Sequence, residues 1–216
     1  MKLVTTASRF CVVLSVVGRA MAKGQRTNHH PARLQEMQQV EWYSELALQL
    51  LEDLETRVRH VIAVADVAQI VAKALFDNEE DAKTLVIAAW VHDIGYASDL
   101  AVTGFHHLDG ARHLESIGEH RLACLVAHHS SGTEEAGVRG MQEDLAPFPF
   151  EPGLFSDCLT YCDLSTGPSG ERVGLEDRIA EVAKRYGEDA IVPRGLRLAY
   201  PRLRASFDVV ESYLGA

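Results

Sequence analysis

Paired cysteines are missing from this chain. Its four cysteines, Cys11, Cys124, Cys158 and Cys162, form no CxxC element, which argues against a sulfur-rich structural zinc site. Cys124 lies in an apolar, helix-like run, and Cys158 and Cys162 are neighbours if their segment is helical. Reduced, buried thiols are therefore the expectation. Basic charge is also scarce: 21 Lys and Arg stand against 31 Asp and Glu, a net charge of −10. No basic patch is visible, so neither a nucleic-acid polymer nor an anionic membrane surface is the expected partner, because counterion release needs clustered cations. No internal repeat, low-complexity tract or alternating strand pattern occurs. The apolar stretch Phe10 to Val17, with Lys2 and Arg9 before it and Ala20-Met21-Ala22 after it, imitates a secretory signal. It is too short to span a bilayer, and Arg19 interrupts the approach to the would-be cleavage site. Residues 1–36 are expected to be a flexible leader, or residues that precede a start at Met21 or Met37, with 18–36 an unstructured arm; cytoplasmic localisation follows.

What is present is helical periodicity. Leu46, Leu50, Leu51 and Leu54 recur at three- and four-residue steps, as do Val61, Val64, Ala68, Val71 and Leu75. Asp77-Asn78 breaks the second run, and Glu79-Glu80-Asp81 loads the next helix start with the negative charge its dipole favours. Leu85, Ala88, Ala89 and His92 then share one face. Gly95 stops that helix and 96–107 reads as a loop. Further helices are expected at Leu108–Ile117, Glu119–His129, Thr133–Leu145, Leu154–Leu164, Leu175–Tyr186 and Arg197–Leu214, with PFPFEPG and the Thr166–Gly170 cluster as turns. The fold class is all-α: one helical domain over 37–216, with C-terminal helices within 174–214.

The polar residues on these helices carry the chemistry. His92-Asp93 closes an apolar helix, where neither residue is cheap to bury unless something binds it. His60 lies beside the stripe of the second helix, and His106-His107, His128-His129 and Asp163 follow downstream. Imidazole nitrogen and carboxylate oxygen suit Fe, Mn, Co, Ni or Zn, and facing helices are how bundle interiors assemble such a set.

In this order, H…HD…D, the chain resembles the HD-domain superfamily over roughly residues 56–165. HDIG, then His106 to Gly110 as His-x-x-x-Gly, then His128-His129, is similar to the extended pattern of members with binuclear sites. The resemblance implies two divalent ions: one held by His60, His92, Asp93 and Asp163, the other by Asp93 as a bridge, His106 and His128. His128 is preferred over His129 because consecutive helical residues point about 100° apart. His129 then becomes a supporting or substrate-contacting residue, and His107 a solvent-facing neighbour. Other histidines match nothing and default to the surface.

The activity so implied is metal-dependent phosphohydrolysis of a small phosphate ester such as a nucleotide, using metal-activated hydroxide. Asp93, His129 and Arg139 are the catalytic candidates; Lys83, Arg57 and Arg59 are further candidate cations. Cyclic-dinucleotide hydrolysis is disfavoured, because those members follow HDIG with lysine and a GYP segment. Tyr96 stands here instead, positioned either to close over substrate or to pack. The rival reading is a mixed-valence di-iron oxygenase cleaving a C–P or C–C bond, also a known use of this ligand order. A regulatory domain with a structural metal is the third. A small phosphorylated molecule is the expected partner, and homo-oligomerisation is left open.

Overall fold

The computed structural model describes residues 30–215, with side chains from residue 38. Residues 1–29, which hold Cys11 and most of the expected leader, lie outside the described residues. Among the described residues ten α-helices follow one another: α1 (His30–Leu50), α2 (Glu55–Leu75), α3 (Glu79–Val91), α4 (His106–Ser116), α5 (His120–His128), α6 (Gly132–Arg139), α7 (Gln142–Leu145), α8 (Leu154–Leu164), α9 (Leu175–Tyr186) and α10 (Ile191–Leu214). A 3-10 turn, Ile94–Tyr96, separates α3 from the loop before α4. Among the described residues there is no strand; a single bridge joins Thr166 to Arg172. No helix among them is long and apolar enough to cross a membrane.

The core draws on most of the helices, and α2 and α3 make its most extensive contact. α2 buries Val61, Val64, Ala65, Ala68, Val71 and Ala72 at helical spacing and packs on α3 and α8. α3 buries Leu85, Ile87, Ala88, Ala89 and Val91. Each Val, Leu or Ile so enclosed contributes about 1.5–3 kcal/mol relative to exposure. Asn78 caps α3 by accepting the Glu80 N–H at 2.9 Å, and Glu79, Glu80 and Asp81 complement its positive end. α4 packs on α5, and α10 runs along α6, α8 and α9.

Several boundaries differ from the sequence expectation. α1 starts at His30, within the stretch expected to be an unstructured arm, and ends at Leu50, so Leu54 belongs to the following turn. The expected Thr133–Leu145 helix is broken at Gly140, whose φ of 70° closes α6 before α7 begins. α10 starts six residues early, at Ile191, and carries Pro201 within it. Cys124, Cys158 and Cys162 are free and buried. Burial pushes the Cys158 thiol up to about 12 and Cys162 well above its usual range, which makes both packing residues rather than nucleophiles.

Candidate metal centre

Helix ends and close backbone approaches build the site. His92 caps α3 in helical conformation, and at Asp93 the chain leaves the helix (φ −107°, ψ 7°) to enter the 3-10 turn. Their side chains therefore diverge from the axis at the end of the buried stripe. Gly95 then lets the turn press against α4: a Cβ there would stand 1.9 Å from the His106 carbonyl oxygen and 2.6 Å from the Gly110 nitrogen. Asp109, buried on α4, accepts the Thr103 N–H at 3.0 Å and the Thr103 hydroxyl at 3.0 Å, pinning the loop that precedes His106.

The carboxylates of Asp93 and Asp163 are the focus of the cluster. His60 Nε2 lies 3.0 Å from Asp163 Oδ1 and 3.7 Å from Asp93 Oδ2. His92 Nε2 is 3.2 Å from Asp93 Oδ2 and 3.8 Å from Asp163 Oδ1. His106 and His129 approach the other Asp93 oxygen, Oδ1, at 3.4 and 4.0 Å. One carboxylate thus faces a histidine pair with each oxygen. Arg57, one turn before His60 on α2, ion-pairs with Asp93 Oδ2, and Ser130 donates to Asp163 Oδ2.

The far side of each ring is tied to backbone. A carbonyl can only accept, so Nδ1–H of His60 donates to Gly167 O (3.1 Å), that of His92 to Ala89 O (2.7 Å) and that of His129 to Val126 O (2.7 Å). This turns the three Nε2 atoms towards the carboxylates, the arrangement by which metal-ligating imidazoles are oriented. Buried polar atoms without partners remain: His92 Nε2 and both nitrogens of His107. Such orphans are costly unless something binds them. The donor set and its unmet valence fit divalent ions.

Electrostatics prepares the same state. Burial would raise the Asp93 carboxyl, but Arg57 and then His92 hold it well below the usual carboxylate range. Asp163 is lowered despite burial, chiefly by its hydrogen bond with His60. Burial pushes His106 and His107 well below the ordinary imidazole range, and burial together with the His92 charge lowers His129 to about 4. His92 moves the other way, Asp93 outweighing its desolvation. Ionised carboxylates beside the neutral imidazoles of His106, His107 and His129 are the form that ligates a metal, and His92 would release its proton on binding one.

His60, His92, Asp93, His106 and Asp163 are brought together as the spacing implied, but His128 is not. Its Nδ1 lies 2.8 Å from Thr133 Oγ1 and its Nε2 2.5 Å from the Phe148 carbonyl, so both nitrogens are engaged away from the cluster. The helix ends at His128, and His129 continues in extended backbone (φ −59°, ψ 151°), which swings the second imidazole inward. Ser130 completes the reversal with a φ of 50°, uncommon outside glycine. His107 is buried rather than solvent-facing, its ring stacked on His129 at 4.2 Å. Three sets can offer ligand atoms within reach of one ion: His60/His92/Asp93, His92/His129/Asp163 and His106/His107/His129. Tyr96 packs: its ring stacks on His106 at 4.1 Å and lies under the Arg57 guanidinium at 4.0 Å.

Arg139 is likewise not at the cluster. Its Nε and Nη2 both hold Glu135 Oε1 at 2.8 Å. Lys83 and Arg59 pair with Glu80 and Glu55 on their own helices. The cations that do line the cavity over Asp93 and Asp163 are Arg57, Arg178 and Arg185, with the buried carboxyl Glu135 on its wall. Only Arg57, three residues before His60, carried a sequence signal; α9 and α6 have no spacing that points to the site.

Replacing each member of the His128-His129 pair separates their roles. His129→Ala is expected to lower the number of bound metal ions, whereas His128→Ala keeps metal and costs about 1–3 kcal/mol by orphaning the Phe148 carbonyl. Metal analysis paired with thermal melts reads both, and the opposite assignment would return the ligand role to His128.

An all-α bundle with a buried His/Asp cluster fed from its helix ends defines a helical protein whose donor groups could hold a metal ion. The chain belongs to the HD-domain family, whose model matches residues 57–188 and so extends through α9, past the 56–165 of the sequence motif. That family is a superfamily of metal-dependent phosphohydrolases. No curated protein and no solved structure matches the chain.

Proposed function

We propose that this protein is a metal-dependent phosphohydrolase acting on a small phosphate ester, with two divalent ions (Fe, Mn, Co, Ni or Zn) between its carboxylates and histidines. His60, His92, Asp93 and Asp163 would hold one ion; Asp93, His106 and His129 would hold the other, with His107 beside them. Divalent ions held there supply Lewis acidity and the lowered water pKa that phosphoester hydrolysis needs near neutrality. The observation that carries this reading is the common orientation of His60, His92 and His129, each giving Nδ1–H to a backbone carbonyl and turning Nε2 to the carboxylates.

The residues of the chain supply positioning and charge. Asp93 presents one oxygen to each half of the cluster, and Ser130 and His60 fix Asp163. Arg57 stands where it can neutralise a phosphoryl oxygen next to Asp93, since guanidinium pairs with phosphate as it does with carboxylate. The enclosing helices exclude bulk water, which strengthens each of these interactions.

Anaerobically purified protein, analysed for metal and assayed with a panel of nucleoside monophosphates and small phosphate esters, tests the proposal. Phosphate release that is lost on chelation and restored by Mn, Co, Ni or Zn supports it. A mixed-valence di-iron signal with O₂ uptake and no phosphate release would overturn it in favour of the oxygenase. Collapse of the helical signal on chelation would instead mark the metal as structural.

A further inference from the structure

Beyond the ligand cluster, the cavity has an outer part with charged walls of its own. The inner cleft over Asp93 and Asp163 measures about 60 Å³, too little for more than the reacting group of a substrate. Against it lies a chamber of about 420 Å³, within the range that accommodates small molecules. Both are lined by Arg57, Tyr96, Arg178, Arg185 and Tyr186.

Arg178 is the unexplained member of this wall. It is 7% exposed, and its buried Nε finds no hydrogen-bond partner. Its Nη1 meets Glu181 Oε2 at 2.6 Å, and the same carboxylate takes Arg185 through Nε at 2.9 Å and Nη2 at 2.6 Å. One carboxylate against two guanidiniums leaves an unneutralised positive charge. The other acidic groups facing the cavity have partners of their own: Asp93 is paired with Arg57 and His92, Asp163 with His60, Glu135 with Arg139 and Glu55 with Arg59, while Asp53 lines the outer chamber beside Arg178 and Arg185.

We propose that Arg178 and Arg185 form a second anion subsite, so that the substrate is a small phosphate ester carrying a further anionic group, such as a carboxylate, on its non-reacting end. The phosphate enters the inner cleft, and the second anion takes the free Nε–H of Arg178 together with the exposed side of Arg185. Arginine suits this because its fork binds a planar carboxylate through parallel N–H donors. The inference rests on reading the His/Asp cluster as the reaction centre; the subsite itself is carried by α9.

The test is calorimetric titration of the protein, as purified with its metal, with methyl phosphate, which has one anionic group, and phosphoglycolate, which has two. Phosphoglycolate is expected to bind roughly ten-fold tighter, about the worth of one charge-assisted hydrogen bond. Arg185→Gln, a partly exposed position that leaves the core alone, should erase most of that preference, and Arg178→Lys should reduce it by removing the fork while keeping the charge. Metal content and melting temperature, measured on the same samples, identify a variant that has simply failed to fold. Equal affinity for the two probes, or a preference that survives in folded Arg185→Gln and Arg178→Lys, overturns the subsite. A wild-type protein without metal would sink the phosphohydrolase reading instead, while the ratio between the probes still decides this one.

Discussion

Asp93→Asn is expected to abolish turnover and to strip the protein of most of its bound metal. The carboxylate faces His60 and His92 with one oxygen and His106 and His129 with the other, so it is the one group shared by both halves of the cluster. Asparagine keeps the shape but offers one neutral oxygen where two anionic ones stood. Losing several kcal/mol of charge stabilisation corresponds to about three orders of magnitude in rate. The metal-free variant should also be less stable by about 2 kcal/mol. Arg57 loses its partner there, and its partial exposure discounts the cost of breaking a fully buried pair. Metal analysis, phosphate release and a denaturant melt read the three effects separately. A variant with full metal content and full turnover would remove Asp93 from the centre of the site.

Gly95→Ala should be the most damaging small substitution in the chain. Its methyl group would meet backbone, the His106 carbonyl oxygen at 1.9 Å and the Gly110 nitrogen at 2.6 Å, and no side-chain rotation can relieve that. α4 must retreat from the 3-10 turn, carrying His106 away from Asp93. The overpacking is expected to cost at least about 3 kcal/mol, a fall in melting temperature of roughly 6–12 °C for a domain this size. In protein that still folds, metal content should drop before helical content does. A melting temperature within a degree of wild type would mean that the turn and α4 are not locked together.

Much of this was legible in the residues. The helical class follows from apolar positions at three- and four-residue steps, which specify a buried stripe wherever they occur, and the acidic run 79–81 marks the α3 start by the same local logic. His60, His92, Asp93 and Asp163 lie on or at the ends of helical segments, which placed them near one interior, whereas His106, read as part of a loop, was implied only by the resemblance to HD-domain proteins. The placement of the His128-His129 pair differs from the sequence expectation because helical geometry was extended one residue too far. The 100° rule holds inside a helix, but α5 ends between these two residues, and the extended backbone of His129 and the left-handed Ser130 decide which ring turns inward. Arg139 was chosen for its closeness in sequence to that pair, and its Glu135 partner turns it elsewhere.

The sequence by itself determined the all-α class and most of the buried helix faces, since each depends on interactions within a few residues of chain. Tertiary structure decided the rest. Arg178 and Arg185 reach the cavity from α9, and Ser130 reaches Asp163 across 33 residues of chain. No local pattern encodes such meetings, because a cavity wall is assembled from the facing sides of helices whose approach is set by packing. His92-Asp93 marks the centre in the primary structure; which imidazoles and guanidiniums surround it is settled by where the helices stop and how closely glycines let them approach.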